Sequence, residues 1–127
     1  MNLTVNKGRS RTTTRIDADL WNRKYDVPMT QQLNAFFSAM SDPTRRAVIE
    51  RLVSGPASVT ELHAPHDMAL PTFMRHLGVL EKTGIVRSVK KGRVRTCHIE
   101  YAPLIEAQGW LAWQRHLWEN RPEGSAD

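Results

Sequence analysis

The sequence predicts a mainly α-helical domain that carries one small β-hairpin near its C-terminal end. Three observations predict it. Apolar residues recur at three- and four-residue spacing through most of residues 30–83. After Gly84, two runs rich in β-branched residues flank Lys91-Gly92-Arg93, the pattern of two strands and a turn. Helical spacing then returns between Pro103 and Glu119.

The first helix starts near Thr30, where Leu33, Phe36, Phe37 and Met40 form one apolar stripe. Asp42-Pro43 restarts the chain: Asp42 suits an N-cap and Pro43 the first turn. The second helix carries Ala47, Val48, Leu52 and Val53 and ends at Gly55-Pro56. Ser58-Val59-Thr60-Glu61 is a capping-box pattern and opens a short third helix, which Pro65 ends. A fourth helix starts at Ala69-Leu70-Pro71 and runs to Thr83, with Gly84 as its stop. The hairpin takes Ile85 to Lys90 and Val94 to Ile99, and a last helix runs from Pro103 to Glu119.

Two short helices joined by a tight connection make a helix-turn-helix, and the hairpin behind them makes a two-stranded wing. The expected architecture is therefore four helices, a wing and a C-terminal dimerisation helix. Residues 29–120 hold this domain, residues 1–28 a polar basic extension and residues 121–127 a tail. The extension has six basic residues (Lys7, Arg9, Arg11, Arg15, Arg23, Lys24) and few large apolar groups. It reads either as a flexible tail or as an arm for DNA phosphates, with a short helix possible around Ala18 to Tyr25.

The chain has 127 residues and a net charge of +5, with 18 Lys and Arg against 13 Asp and Glu. That balance favours polyanionic partners. No apolar run approaches the roughly 20 residues of a membrane-spanning helix. The N-terminus lacks the apolar core of a signal peptide. One cysteine, Cys97, cannot form an internal disulfide, so a reducing cytoplasm is expected. There is no catalytic triad, glycine-rich phosphate loop or carboxylate pair in a recognisable context, which argues against an enzyme.

On the fourth helix Leu70, Phe73, Leu77 and Leu80 share a face expected to pack inward. Thr72, Arg75, Val79 and Lys82 then point outward, with Met74 and His76 on the flanks. Arg75 can donate two hydrogen bonds to guanine, and Thr72 can meet a thymine methyl or a phosphate. The wing carries Arg87, Lys90, Lys91, Arg93 and Arg95 with no acid between them, a charge cluster suited to phosphates or the minor groove. Thr72, Met74, Arg75, His76, Lys91, Arg93 and Arg95, with Ser58 and Thr60 of the third helix, are the expected DNA-binding residues. Operator or promoter duplex DNA is the expected partner.

In the last helix Leu104, Ala107, Leu111, Gln114 and Trp118 alternate three- and four-residue spacing, the seam of a coiled-coil-like contact. Trp110 and Leu117 widen it. With Leu33, Phe36, Phe37 and Met40, these residues are expected to form a homodimer interface, since DNA readers commonly pair two half-sites.

The stretch from Leu33 to about Trp118 resembles the ArsR family of bacterial winged-helix repressors. The residues that carry the resemblance are Ser41-Asp42-Pro43-Thr44-Arg45-Arg46, Gly55 through Leu62, Leu70-Pro71 through His76-Leu77-Gly78-Val79-Leu80-Glu81, Gly84-Ile85-Val86 and Gly92 through Thr96. It implies a homodimer, a reading helix at 71–83, a wing at 85–99 and repression by promoter occlusion, often of the protein's own operon. Two positions depart from the pattern. Ala69 stands where the family usually has serine, so the reading helix lacks a side-chain N-cap. Met74 also stands where a serine is common.

Because many family members sense metals, His63-x-x-His66 is a candidate ligand pair; Pro65 breaks the helix between the two, and further ligands are not evident. His116-x-x-Glu119 resembles half of the family's zinc site, but Pro103 and Ile105 stand where the other half is needed. No metal, cofactor or small-molecule ligand is therefore expected. A sensor using His63 and His66, or Cys97, is the alternative reading; a non-specific nucleic-acid binder is a further one. Cys97 alternates with Ile99 on its strand and reads as a small apolar packer.

Overall fold

The computed structural model describes residues 30–122. The basic extension, with its possible helix around Ala18 to Tyr25, and residues 123–127 of the expected tail lie outside the described residues. The described residues fall into two compact units, one holding residues 30–105 and the other residues 106–122.

In the first unit the elements follow as α1 (Thr30–Met40), α2 (Pro43–Val53), β1 (Ala57–Ser58), α3 (Val59–His63), α4 (Leu70–Lys82), β2 (Val86–Lys91) and β3 (Val94–Ile99). The long helix α5 (Ala102–Glu119) begins in it and continues into the second. Asp42 caps α2: extended at the N-cap, it accepts a hydrogen bond from the Arg45 N–H at 3.0 Å, and Pro43 fills the first turn.

α2 buries Val48, Ile49 and Leu52. Val53, the last apolar residue of the helix, is 58% exposed. At about 100° per residue it lies a quarter-turn off the Val48–Leu52 line, and Ile49 takes the inward place. On α4, Phe73, Leu77 and Leu80 are fully buried, but Leu70 is 48% exposed. Leu70 is the first helical residue and its side chain tilts back toward the N-terminus, past the edge of the core. Val79, expected outside, packs partly buried against the core.

Thr83 and Gly84 end α4 in a Schellman motif. The Ile85 N–H bonds Leu80 O at 3.0 Å and the Gly84 N–H bonds Glu81 O at 3.1 Å. Gly84 has φ 79°, which a side chain would strain, and Ile85 and Leu80 close the motif as buried neighbours.

The wing has three strands, not two, in the order β1-β3-β2, all antiparallel. Ala57 pairs with Cys97 and Ser58 with Thr96. A two-residue strand is too short to show alternation, so β1 leaves no periodic trace in the sequence. At the tip, Gly92 takes φ 62° between Lys91 and Val94, as a two-residue hairpin loop demands. Phe73, Leu52, Leu62, Leu77, Leu80, Ile85, Val48 and Cys97 form the fully buried centre. Phe36, Met40 and Leu104, expected at an interface, are partly covered by this same core.

In the second unit, residues 106–119 of α5 continue the helix. Ala107, Gly109 and Trp113 are buried, and Trp113 stacks on His116 with centroids 5.2 Å apart. Arg121 closes the helix end: its guanidinium lies 3.5 Å over the Trp118 ring and donates to Trp118 O at 2.9 Å.

Candidate nucleic-acid interface

α3 is positioned by its capping box. The Ser58 hydroxyl accepts from the Glu61 N–H at 3.1 Å, and the Glu61 carboxylate accepts from the Ser58 N–H at 2.8 Å. The Ser58 N–H donated to it, with the Ser58 side chain beside it, holds the Glu61 carboxyl below the usual carboxylate range. Thr60, in the first turn of α3, is exposed.

The connection from α3 to α4 is held by packing. His63 Nε2 donates to Met68 O at 2.7 Å, since a carbonyl can only accept. The His63 and His66 rings lie 5.2 and 5.5 Å from the Phe73 ring. Both histidines of the His-x-x-His are thus engaged around a core aromatic. Among the described residues no group of three or more His, Cys, Asp or Glu is placed to share an ion.

α4 starts after Ala69 with no side-chain cap, as its sequence implies. Arg75 is exposed, and one guanidinium N–H reaches the Thr72 hydroxyl at 3.4 Å. Met74 and His76 are half-buried, and Met74 packs on the core. His76 Nδ1 meets the Arg45 guanidinium at 3.0 Å and lies 3.6 Å from the Asp42 carboxylate. Arg45 also donates to Ala39 O at 2.7 Å and Ser38 O at 3.1 Å, tying the end of α1 to α4. Partial burial pushes the Asp42 carboxyl up, but the Arg45 N–H bond, the charge His76 carries when protonated and the Arg45 charge outweigh it, and the net shift is downward. The sequence reading missed Arg45, although it lies inside the Ser41–Arg46 motif.

On the wing, Lys90, Lys91, Arg93 and Arg95 are exposed and form no ion pair among the described residues. Arg87 differs: Glu100, just beyond β3, holds its guanidinium at 2.6 Å. The uncompensated charge therefore sits at the outer half of the hairpin. Ser58, Val59, Thr60 and Met74 face Lys90, Arg93, Val94 and Arg95 across a cleft of about 500 Å³. The cleft brings together Ser58, Thr60, Met74, Arg93 and Arg95 of the expected set. Thr72, Arg75, His76 and Lys91 lie outside its lining.

A contact that the sequence reading did not identify fixes the wing to α4: the Ser88 hydroxyl donates to the Glu81 carboxylate, beside the Cys97 thiol. Ser88 shares the inward face of β2 with Val86, and a polar residue there was the available signal. Cys97 is fully buried, and burial pushes its thiol up despite the Ser88 hydrogen bond, which makes it a poor nucleophile.

Of the expected interface residues in α5, Leu111, Gln114 and Trp118 are exposed, Trp110 and Leu117 are half-buried and Ala107 is buried. In α1, Phe37 is exposed and Leu33 half-buried. Among the described residues no helix is long and apolar enough to cross a membrane.

Comparison with known proteins agrees with this fold. Residues 40–89 match a helix-turn-helix domain family. The crystal structure of an ArsR family transcriptional regulator is 53% identical, with a TM-score of 0.73, over 76% of this chain and 99% of its own. The transcriptional repressor SdpR of Bacillus subtilis is 24% identical over 79 residues, 62% of this chain and 88% of that protein. A homodimeric winged helix-turn-helix DNA-binding domain of Mycobacterium bovis shares the fold, at 20% identity and a TM-score of 0.54, over 73% of this chain and 88% of its own. The first two of these relatives are transcriptional regulators by name. The chain belongs to the ArsR family of winged helix-turn-helix transcriptional regulators.

Proposed function

We propose that this regulator is a cytoplasmic homodimer that reads a specific operator and represses transcription from it, in the simplest case that of its own operon. The observation that carries the reading is Arg75. It stands exposed on α4, within reach of the Thr72 hydroxyl, on the helix that precedes a hairpin whose outer cations have no acidic partner among the described residues. A planar guanidinium matches guanine O6 and N7, whereas Lys91, Arg93 and Arg95 suit phosphates. The dimer is supported by exposed Leu111, Gln114 and Trp118 at heptad spacing, and the M. bovis relative of the same fold is a homodimer. The SdpR likeness supports repression.

The test is selection of bound duplexes from a random pool, followed by affinity measurements on the consensus and its single-base variants. Arg75→Ala is expected to relax preference at one base pair per half-site, by about 5- to 150-fold. Equal loss on every sequence would remove Arg75 as a base reader. Equal affinity of the unaltered protein for consensus and random duplex would favour a non-specific nucleic-acid binder.

A further inference from the structure

We infer that Arg45 is a positioning residue: it holds His76 of the reading helix in its Nε2–H form, so that His76 can meet DNA only as a hydrogen-bond donor. The inference rests on α4 being the DNA-reading helix. A guanidinium is always charged and has no acceptor. The 3.0 Å contact between Arg45 Nη1 and His76 Nδ1 is therefore a hydrogen bond only if Nδ1 offers its lone pair. A neutral imidazole with an unprotonated Nδ1 carries its proton on Nε2. Nε2 has no partner among the described residues, and the side chain is 20% exposed.

The competing group is Asp42, whose carboxylate at 3.6 Å would favour a proton on Nδ1. Asp42 already accepts the Arg45 N–H at 3.0 Å, and Arg45 lies closer to the ring. Arg45 is itself fixed from the other side by the Ser38 and Ala39 carbonyls, so its aim at Nδ1 costs little further side-chain entropy. The result is a histidine whose polarity is set before DNA arrives. It can serve a purine N7, a carbonyl oxygen on a base edge or a phosphate oxygen, and it cannot serve an exocyclic amine.

Two measurements test this. The first needs no DNA: two-bond 1H–15N correlation of the imidazoles in the full chain at about pH 8, where histidine is mostly neutral. The unaltered protein is expected to show His76 as the Nε2–H form. Arg45→Met is expected to give a mixture or the Nδ1–H form paired with Asp42, and Arg45→Lys is expected to restore Nε2–H. An Nδ1–H or mixed signal in the unaltered protein overturns the inference, even if no variant folds. An unchanged Nε2–H signal in a folded Arg45→Met overturns the role of Arg45.

The second scans the selected operator with analogues that each delete one acceptor, base-edge or phosphate. One deletion per half-site is expected to weaken the unaltered protein by about 2- to 10-fold, the range of a single hydrogen bond, and to leave His76→Ala unaffected. If no deletion depends on His76, its donor role fails while the tautomer result stands. If no sequence-specific operator is found at all, it is the proposed function that has failed.

Discussion

The division of labour on the wing gives a quantitative expectation. Arg93 follows the glycine at the hairpin tip and has no acidic partner among the described residues, whereas Arg87 at the base is held by Glu100 at 2.6 Å. Only a cation that gains a phosphate on binding releases counterions, at a slope of about 0.9 per contact. With two wings per dimer, Arg93→Ala should make the plot of log affinity against log salt shallower by about 1.8. Over a fourfold change, from about 50 to about 200 mM salt, the deficit of Arg93→Ala relative to the unaltered protein should therefore shrink by about 12-fold. Arg87→Ala should leave the slope nearly unchanged, because Glu100 already neutralises it. The assay is fluorescence anisotropy on operator and random duplex across a salt series. Equal slope changes in the two variants would refute the assignment of the outer wing to phosphates. An unchanged slope in Arg93→Ala would do the same.

The remaining expectations concern the dimer, a cap and the thiol. Leu111→Asp places a charge on the exposed heptad face of α5 and should shift sedimentation from dimer to monomer at micromolar concentration; a monomeric unaltered protein refutes the dimer outright. Asp42→Ala should cost about 1 kcal/mol in denaturant unfolding, with Asp42→Asn closer to the unaltered protein, because Asn can still cap α2. The Asp42 carboxyl is lowered in the fold, so its stabilisation is present above the unfolded value and is lost as pH falls through the folded one. Asp42→Ala should therefore lose less stability on acidification than the unaltered protein, read as midpoints over a pH series. Cys97 should react with a thiol reagent only as fast as the protein opens; immediate reaction in native buffer would revive the redox reading.

Much of the fold was legible because its signals are local. Asp42-Pro43, the Ser58–Glu61 box and Gly84 each fix a boundary through a neighbour no more than four residues away. The inward set Phe73, Leu77 and Leu80 follows from helical period alone. What escaped depends on partners distant in the chain. Arg45 and His76 are 31 residues apart, and nothing in either neighbourhood announces the contact. Arg87 reads as one more wing cation until the strand register brings His98 opposite it and Glu100 within reach. Leu70 failed for a geometric reason, since periodicity places a residue on a face but does not say where the core stops.

The two-residue strand β1 has a consequence for how such a protein could change its target. It ties the middle of β3 to the entry of α3 through Ala57–Cys97 and Ser58–Thr96, while the outer rungs from Lys90–Arg95 to Lys91–Val94 pair only with each other. Inserting one residue inside the base would turn Cys97 out of the core, because a single-step slip reverses every side chain. Adding one residue to each strand beyond Arg95 and Lys90 would lengthen the hairpin by a rung and leave the base register untouched. If the wing follows a phosphate backbone as proposed, the span it covers is thus adjustable by insertion at its tip, independently of the body that holds α4.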